Sequence, residues 1–105
     1  MKALLVAAGA SFVLAAAPAL AQDMAKLATT KGCLACHQVD KKVVGPSYKE
    51  VANKYRTDKT AEAKLVKKVL DGGTGAWGQV PMPPNKATVN EKEAVSLVKW
   101  ILSQK

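Results

Sequence analysis

The sequence predicts an all-α fold. Apolar residues recur at helical spacing in four segments, and no alternating strand pattern longer than a few residues appears. Glycine and proline, which end helices, stand between those segments. The chain has 105 residues, enough for one domain at most. We therefore expect a single small domain of about four helices.

The first two predicted helices lie on either side of a Gly-Pro turn at residues 45–46. The first helix is expected to begin at Asp23, a plausible N-cap, and to end at Gly32. Its inner side is formed by Met24, Leu27 and Ala28. The inner side of the second helix repeats at i, i+3, i+4 and i+7, as Tyr48, Val51, Ala52 and Tyr55.

A third helix is predicted over residues 61–70, capped by Thr60 and ended by Gly72. Its inner side is formed by Leu65, Val66 and Val69. Residues 72–86 have little helical character because they contain four glycines and three prolines. The last helix follows Asn90, which with Glu93 resembles a capping box. Its inner side is formed by Ala94, Leu97, Val98 and Ile101, with Trp100 beside them.

The first 21 residues have the pattern of a secretory signal peptide. Lys2 gives a positive start, an alanine-rich apolar run follows, and residues 19–21 form a small-x-small cleavage site. We expect cleavage after Ala21 and export to the periplasm. An uncleaved membrane anchor is the alternative, but the run is shorter than the roughly 20 apolar residues that spanning takes. The remaining domain, residues 22–105, is small for an apolar core of its own, so the apo-protein is expected to be largely unfolded.

Cys33, Cys36 and His37 form a Cys-x-x-Cys-His motif, which is typical of c-type haem attachment. Each thiol can add to one vinyl group of a haem, and the imidazole can then reach the iron as proximal ligand. A thioredoxin-like dithiol would need a βαβ context, which is missing from the pattern. A structural zinc site would need four Cys or His ligands, whereas the chain has two Cys and one His. The motif predicts one haem c, bound through two thioethers.

The iron ligand opposite His37 is predicted to be Met82. No second histidine exists, so the candidates are a methionine, a lysine, a tyrosine or an open position. Met24 is expected to pack in the core. Met82 lies in a Val-Pro-Met-Pro-Pro run, whose prolines fix φ and stiffen the loop, so that it can hold a weak thioether ligand. A His/Met ligand pair raises the reduction potential of haem iron.

Two protein ligands on the iron favour electron transfer over catalysis. They would leave no position for oxygen or peroxide, and no second histidine or obviously placed carboxylate is available as a distal acid–base partner. A haem enzyme or gas sensor with an open distal position is one alternative, and a haem-free dithiol oxidoreductase is another. We expect a one-electron carrier and not an enzyme.

Five stretches of the chain resemble the small bacterial class I cytochromes c of the cytochrome c-551/c-552 group. They are residues 31–37, 44–46, 75–78, 81–85 and 99–105, and together they extend over nearly all of the predicted domain. The Trp-Gly-x-x-Pro-Met-Pro-Pro run is the most specific. The resemblance implies the class I cytochrome c fold, with about four helices wrapped around one covalently attached haem.

The resemblance also implies roles for three further residues. Pro46 would offer its backbone carbonyl to the N–H of the proximal imidazole, and such a bond fixes the ring and raises its basicity. Trp77 would donate its indole N–H to a haem propionate. Asn85 would lie beside the Met82 sulfur and tune it by hydrogen bonding.

The formal net charge of +8 and the sequence pI of about 9.7 favour acidic protein partners. An exported haem protein has little access to nucleic acid, and no stable membrane insertion is expected. We expect a monomer that exchanges electrons with an upstream donor complex and a downstream reductase or oxidase, docking through acidic patches on these partners. Some of the lysines near the two haem-binding loops would ring the exposed haem edge, and the candidates are Lys31, Lys41, Lys42 and Lys86.

Overall fold

The computed structural model describes residues 16–105, with side chains from residue 21 onward. Within that range the chain forms a 3-10 turn, four α-helices and no β-strand. The helices are α1 (Ala16–Thr30), α2 (Tyr48–Tyr55), α3 (Ala61–Asp71) and α4 (Glu91–Leu102). The prediction of an all-α fold is confirmed. None of these described helices is long and apolar enough to cross a membrane.

The first helix begins earlier than the sequence predicts. Because α1 starts at Ala16, Asp23 lies inside it and is not its N-cap. Alanine has the highest helix propensity of all residues, so the alanine-rich stretch before Asp23 continues the helix. The predicted cleavage point after Ala21 therefore falls within α1 in the full-length chain, whereas residues 1–15 of the predicted signal peptide lie outside the described residues.

The starts of α2 and α4 are fixed by side-chain caps. Ser47, which is buried, caps α2 by accepting a hydrogen bond from the Glu50 N–H at 3.1 Å. The predicted capping box of α4 is present, since Asn90 accepts from the Glu93 N–H at 2.8 Å and the Glu93 carboxylate accepts from the Asn90 N–H at 3.1 Å. These bonds satisfy N–H groups that a helix start leaves without partners.

The start of α3 is capped differently from the prediction. Thr60 occupies the N-cap position, but its side chain makes no capping bond. Its hydroxyl and its backbone N–H instead donate to Asp58 Oδ1, at 2.6 and 2.8 Å. The turn before α3 is thus closed by a carboxylate two residues upstream, an alternative that short polar side chains commonly offer.

The apolar core is small and centred on α4, which packs against each of the other three helices. Its fully buried members include Ala94 and Leu97 of α4, Ala28 of α1 and Val89 from the loop before α4. Val89 was not predicted as a core residue, because no helical period extends to that loop. Leu65 and Val69, predicted to lie on the inner side of α3, are only half-buried and face a cavity.

Candidate haem-binding site

A cavity of about 450 Å³ lies between α2, α3, α4 and two loops. We call residues 33–47 the His loop and residues 72–86 the Met loop. The volume is within the range of about 300–1,000 Å³ usual for cofactor sites. All seven site residues named from the sequence line this one cavity: Cys33, Cys36, His37, Pro46, Trp77, Met82 and Asn85.

The His37 imidazole is oriented by a backbone carbonyl. Its Nδ1 lies 2.8 Å from the oxygen of Pro46, which is buried. A carbonyl oxygen can only accept, so Nδ1 must carry the proton of this bond. In the neutral ring the lone pair is then on Nε2, the nitrogen left free to bind a metal.

Two further residues of the His loop and α2 lie against the same ring. A Cβ at Gly45 would overlap His37 Cε1 and would lie 2.8 Å from Nδ1, so only glycine fits there. The Tyr48 ring stacks on the imidazole with 5.4 Å between centroids and 21° between planes. The imidazole is therefore held by three residues of the segment 45–48: Gly45, the Pro46 carbonyl and Tyr48, the first residue of α2.

The two thiols are presented at the cavity by the 3-10 turn Cys33–Ala35. The His37 and Cys36 N–H groups both donate to the Cys33 carbonyl, at 3.0 and 3.2 Å, and the Gly45 N–H donates to the Cys36 carbonyl at 2.7 Å. Both thiols are free and half-buried. Burial raises the pKa of the Cys33 thiol, so it is protonated at neutral pH. The turn thus offers two thiols beside the imidazole, as thioether attachment requires.

The Met loop is fixed to the end of α3 by its backbone. Gly73 and Met82 form an antiparallel bridge, with N–H to carbonyl distances of 3.0 and 2.8 Å. Gly72, at φ +70°, ends α3, and a Cβ there would overlap the Met82 carbonyl and lie 2.8 Å from the Pro84 nitrogen. The close approach of the two chain segments therefore requires glycine at this position.

Asn85 provides the second anchor of the Met loop. Its side-chain amide donates to the carbonyls of Val69, at 3.0 Å, and Pro83, at 3.2 Å, and its backbone N–H also donates to Val69. These bonds satisfy a carbonyl at the C-terminal end of α3 that the helix leaves open. The amide protons of Asn85 are thus used to hold the loop, while the expected tuning of the Met82 sulfur stays a prediction.

Trp77 lies in a turn closed by the Gly75 N–H and the Gly78 carbonyl at 2.9 Å, and its side chain is 40% exposed. The Lys54 side chain, which comes from the end of α2, contacts the segment around Trp77. Its Nζ donates to the Ala76 carbonyl at 3.1 Å and lies 4.6 Å from the centroid of the Trp77 ring. No local sequence pattern points to Lys54, since its contact joins residues 22 positions apart in the chain.

The sequence predicts that some of four lysines near the two loops surround the exposed haem edge. Of these four lysines, Lys42 alone is among the described residues that line the cavity, where it is joined by Lys68 of α3. Lys31 donates to the Thr88 carbonyl at 2.6 Å and lies 3.5 Å from the Glu93 carboxylate, which joins α1 to the start of α4. The exposed apolar residues beside the mouth are Val44 and Val80, 50% and 65% exposed.

The donors around this cavity fit a covalently attached haem. Two thiols, a nitrogen donor with the correct tautomer and a thioether line the same space, and the walls are mostly apolar. Cysteine, histidine and methionine are the residues that c-type haem proteins use. Fold and site together define a class: a small all-α protein of the c-type haem group.

The chain belongs to the cytochrome c family, whose family model matches residues 21–105. It is 48% identical over 96 residues to cytochrome c-551 of Pseudomonas aeruginosa, with 91% of this chain and 90% of that protein covered. It is 47% identical over 85 residues to cytochrome c-552 of Nitrosomonas europaea, with 81% and 82% covered. The crystal structure of wild-type Nitrosomonas europaea cytochrome c552 superposes with a TM-score of 0.73 at 47% identity, covering 77% of this chain and 99% of that chain. As a cytochrome c, the chain is an electron carrier and not an enzyme.

Proposed function

We propose that this protein is an exported, monomeric one-electron carrier with a single haem c, bound through Cys33 and Cys36 and ligated by His37 and Met82. The observation that carries the proposal is that all four donor side chains line one cavity. The bound haem supplies an iron that gains or loses one electron. The chain supplies the attachment, both axial ligands and apolar walls.

The contacts of His37 support its role as proximal ligand. The bond from Nδ1 to the Pro46 carbonyl raises the basicity of Nε2, which strengthens a bond to iron. The Gly45 backbone and the Tyr48 ring restrict the movement of the imidazole. A ligand held in this way need not move when the iron changes charge, which keeps the reorganisation on electron transfer small.

Met82 would be held mainly by its own backbone. The bridge to Gly73 and the flanking prolines fix the position from which the thioether reaches into the cavity. With His37 and Met82 both bound in either oxidation state, small oxidants would have no free position at the iron. The arrangement therefore favours outer-sphere transfer of one electron through the cavity mouth.

The partners we propose are an upstream donor complex and a downstream reductase or oxidase of a respiratory chain in the periplasm. The mature chain, which loses Lys2 with the signal peptide, would carry a net charge of +7, and this charge with the cavity-lining Lys42 and Lys68 would steer acidic surfaces toward the mouth. Steering of this kind weakens with ionic strength. The rate of electron exchange with an acidic partner should therefore fall as salt is added, and a rate independent of salt would contradict the steering.

Export would depend on residues 1–21. We expect the mature protein, isolated from a host that exports it, to begin at Gln22. Mass spectrometry of the intact haem protein reads the cleavage point and the number of thioether-bound haems in one measurement.

The axial ligation is tested by Met82→Ala, with Met24→Ala as the matched control. Met24 is half-buried on α1 and does not line the cavity. The ferric wild type should show a sulfur-to-iron charge-transfer band in the red region, which Met24→Ala should keep and Met82→Ala should lose. The ferrous Met82→Ala protein should also bind carbon monoxide readily, unlike the wild type. A band that survives in Met82→Ala would refute Met82 as the ligand.

A further inference from the structure

We propose that Tyr48 is a positioning residue that sets the plane of the His37 imidazole, supported from α4 by Trp100. The proposal rests on the proposed ligation of iron by His37. It goes beyond that ligation, because it names the side chains that decide how the ring is rotated about the bond to the metal.

Two aromatic rings, Tyr48 and then Trp100, lie one behind the other next to the imidazole. Tyr48 is 3% exposed and stacks on His37 with 5.4 Å between centroids and 21° between planes. Trp100 meets the Tyr48 ring edge-on, with 5.4 Å between centroids and 72° between planes. Stacked and edge-to-face arrangements are the geometries that aromatic pairs favour. The imidazole is thus connected through two contacts to Trp100, a half-buried residue of α4 that packs against the apolar core.

The hydrogen bond from His37 to Pro46 does not determine the ring plane by itself. It holds Nδ1 at one edge of the ring, and it places no atom against the ring face on which Tyr48 stacks. A flat side chain against that face restricts tilting, because tilting the imidazole would drive it into the Tyr48 ring. Tyr48 therefore completes an orientation that the carbonyl only begins.

Tyr48 is itself in a fixed position. It is the first residue of α2, directly after the Ser47 N-cap, and its N–H donates to the Gln38 carbonyl at 2.9 Å. Trp100 is held in the last turn of α4, where its carbonyl accepts from the Ser103 hydroxyl at 2.6 Å. Because both rings start from anchored backbone, their contact can transmit a fixed orientation to the imidazole.

The plane of an axial imidazole matters because it determines which iron d orbitals its π system overlaps. That overlap governs how unpaired spin is distributed over the porphyrin in the ferric state. The hyperfine-shifted proton NMR resonances of the four haem methyl groups report this distribution. A residue that merely fills space would change stability without changing their order.

The experiment compares the holoproteins of Tyr48→Leu and Tyr48→Phe with the wild type. Tyr48→Leu removes the flat face and should change the order and spread of the four methyl shifts and move the reduction potential. Tyr48→Phe keeps the ring and should restore the wild-type pattern. Val89→Ala is the control, since Val89 is 1% exposed but does not line the cavity, and it should lower the melting temperature without altering the methyl shifts.

A wild-type methyl pattern in Tyr48→Leu would overturn the proposal, as would the same altered pattern in Tyr48→Phe. Should Tyr48→Leu fail to take up haem, Trp100→Leu decides, because loosening the support should move the methyl shifts in the wild-type fold, and an unchanged pattern there overturns the proposal. The red sulfur-to-iron band is recorded on each sample. If the wild type shows this band and the variants keep the wild-type methyl pattern, the role of Tyr48 is refuted. The proposed ligation by His37 and Met82 is then unaffected.

Discussion

The two loops that carry the proposed iron ligands are built in different ways. In the His loop, the ligand side chain itself is held, by the Pro46 carbonyl, the Gly45 backbone and the buried Tyr48 ring. In the Met loop, the backbone is held, by the bridge between Gly73 and Met82, and the side chain is left to reach the site alone.

Because the two ligands are held in different ways, we expect them to detach from the iron in a fixed order. His37 is supported by buried side chains and sits beside two residues that can bond covalently to the cofactor. Met82 belongs to a mostly exposed loop whose anchors are a handful of backbone and amide hydrogen bonds. Local opening is easiest where buried contacts are few. We expect the thioether of Met82 to detach before any other part of the site yields.

The largest effect should come from removing the haem, which both loops are proposed to bind. The buried apolar residues form a small core around α4, and Leu65 and Val69 line the cavity and are only half-buried. A domain of this size without its cofactor lacks enough buried apolar surface. The chain produced without haem should therefore lose most of its helical circular dichroism and show no cooperative melting. A sharp thermal transition in the haem-free chain would contradict this expectation.

The next largest effect should come from Gly72→Ala, compared with Gly32→Ala. Both glycines have a positive φ, but Gly32 (ψ 9°) lies in the left-handed α region, where alanine costs about 1–2 kcal/mol. Gly72 (ψ −165°) lies in a region that is essentially restricted to glycine, where the backbone cost is about 1–3 kcal/mol. A Cβ at Gly32 meets no atom within 4 Å, whereas one at Gly72 overlaps the Met82 carbonyl, which should add about 1–3 kcal/mol. Only Gly72→Ala should weaken the red sulfur-to-iron band. If the two variants lose the same free energy of unfolding, then neither the backbone conformation of Gly72 nor the overlap with the Met82 carbonyl adds the expected cost.

A smaller effect is expected for Asn85→Ala, with the exposed Asn53→Ala as control. The variant loses two side-chain hydrogen bonds to backbone carbonyls, each worth about 0.5–1.5 kcal/mol. The Met loop should open at a lower temperature than in the wild type, so the sulfur-to-iron band should disappear before the helices melt. If the band and the helical signal are lost together, as in the wild type, Asn85 does not anchor the loop separately.

The smallest effect should come from Asp58→Asn, which is remote from both loops. Hydrogen bonds from the Thr60 hydroxyl and N–H, followed by Lys64, lower the pKa of Asp58 to about 2. Because the folded pKa is depressed, the carboxylate contributes stability above its ordinary pKa of about 4, and this contribution is lost as the pH falls toward 2. The melting temperature of Asp58→Asn should therefore fall less steeply than that of the wild type between these pH values. A slope as steep as that of the wild type would refute the role of Asp58, and Asp71→Asn, at the other end of α3, is the control.

The sequence was sufficient for the features that depend on local pattern. The periods of α2, α3 and α4 were visible in the apolar residues, and the Asn90–Glu93 box is a local motif that forms as predicted. The seven site residues were named from two short motifs and a resemblance, and they line one cavity. Short spacings and stiff loops leave few alternatives, so such features can be read without a structure.

The features that the sequence did not reveal depend on contacts between distant segments or on competition between neighbours. The Thr60 hydroxyl, expected to cap α3, donates to Asp58 instead, so the Thr60 side chain makes no capping bond. The Lys31 ammonium donates to the carbonyl of Thr88, 57 residues away in the chain, and does not line the cavity. The role of Tyr48 could have been suspected, since an aromatic residue two positions after Pro46 is close to any ligand that the proline supports.

Three consecutive residues at the start of α2 form both the beginning of the helix and part of the proposed metal site. The Pro46 carbonyl orients His37, the Ser47 hydroxyl caps the helix, and Tyr48 contributes the first helical ring. Inserting or deleting one residue here would rotate the helix by about 100° relative to the imidazole, since an α-helix has 3.6 residues per turn. Changes of length should thus be forbidden between residues 45 and 48.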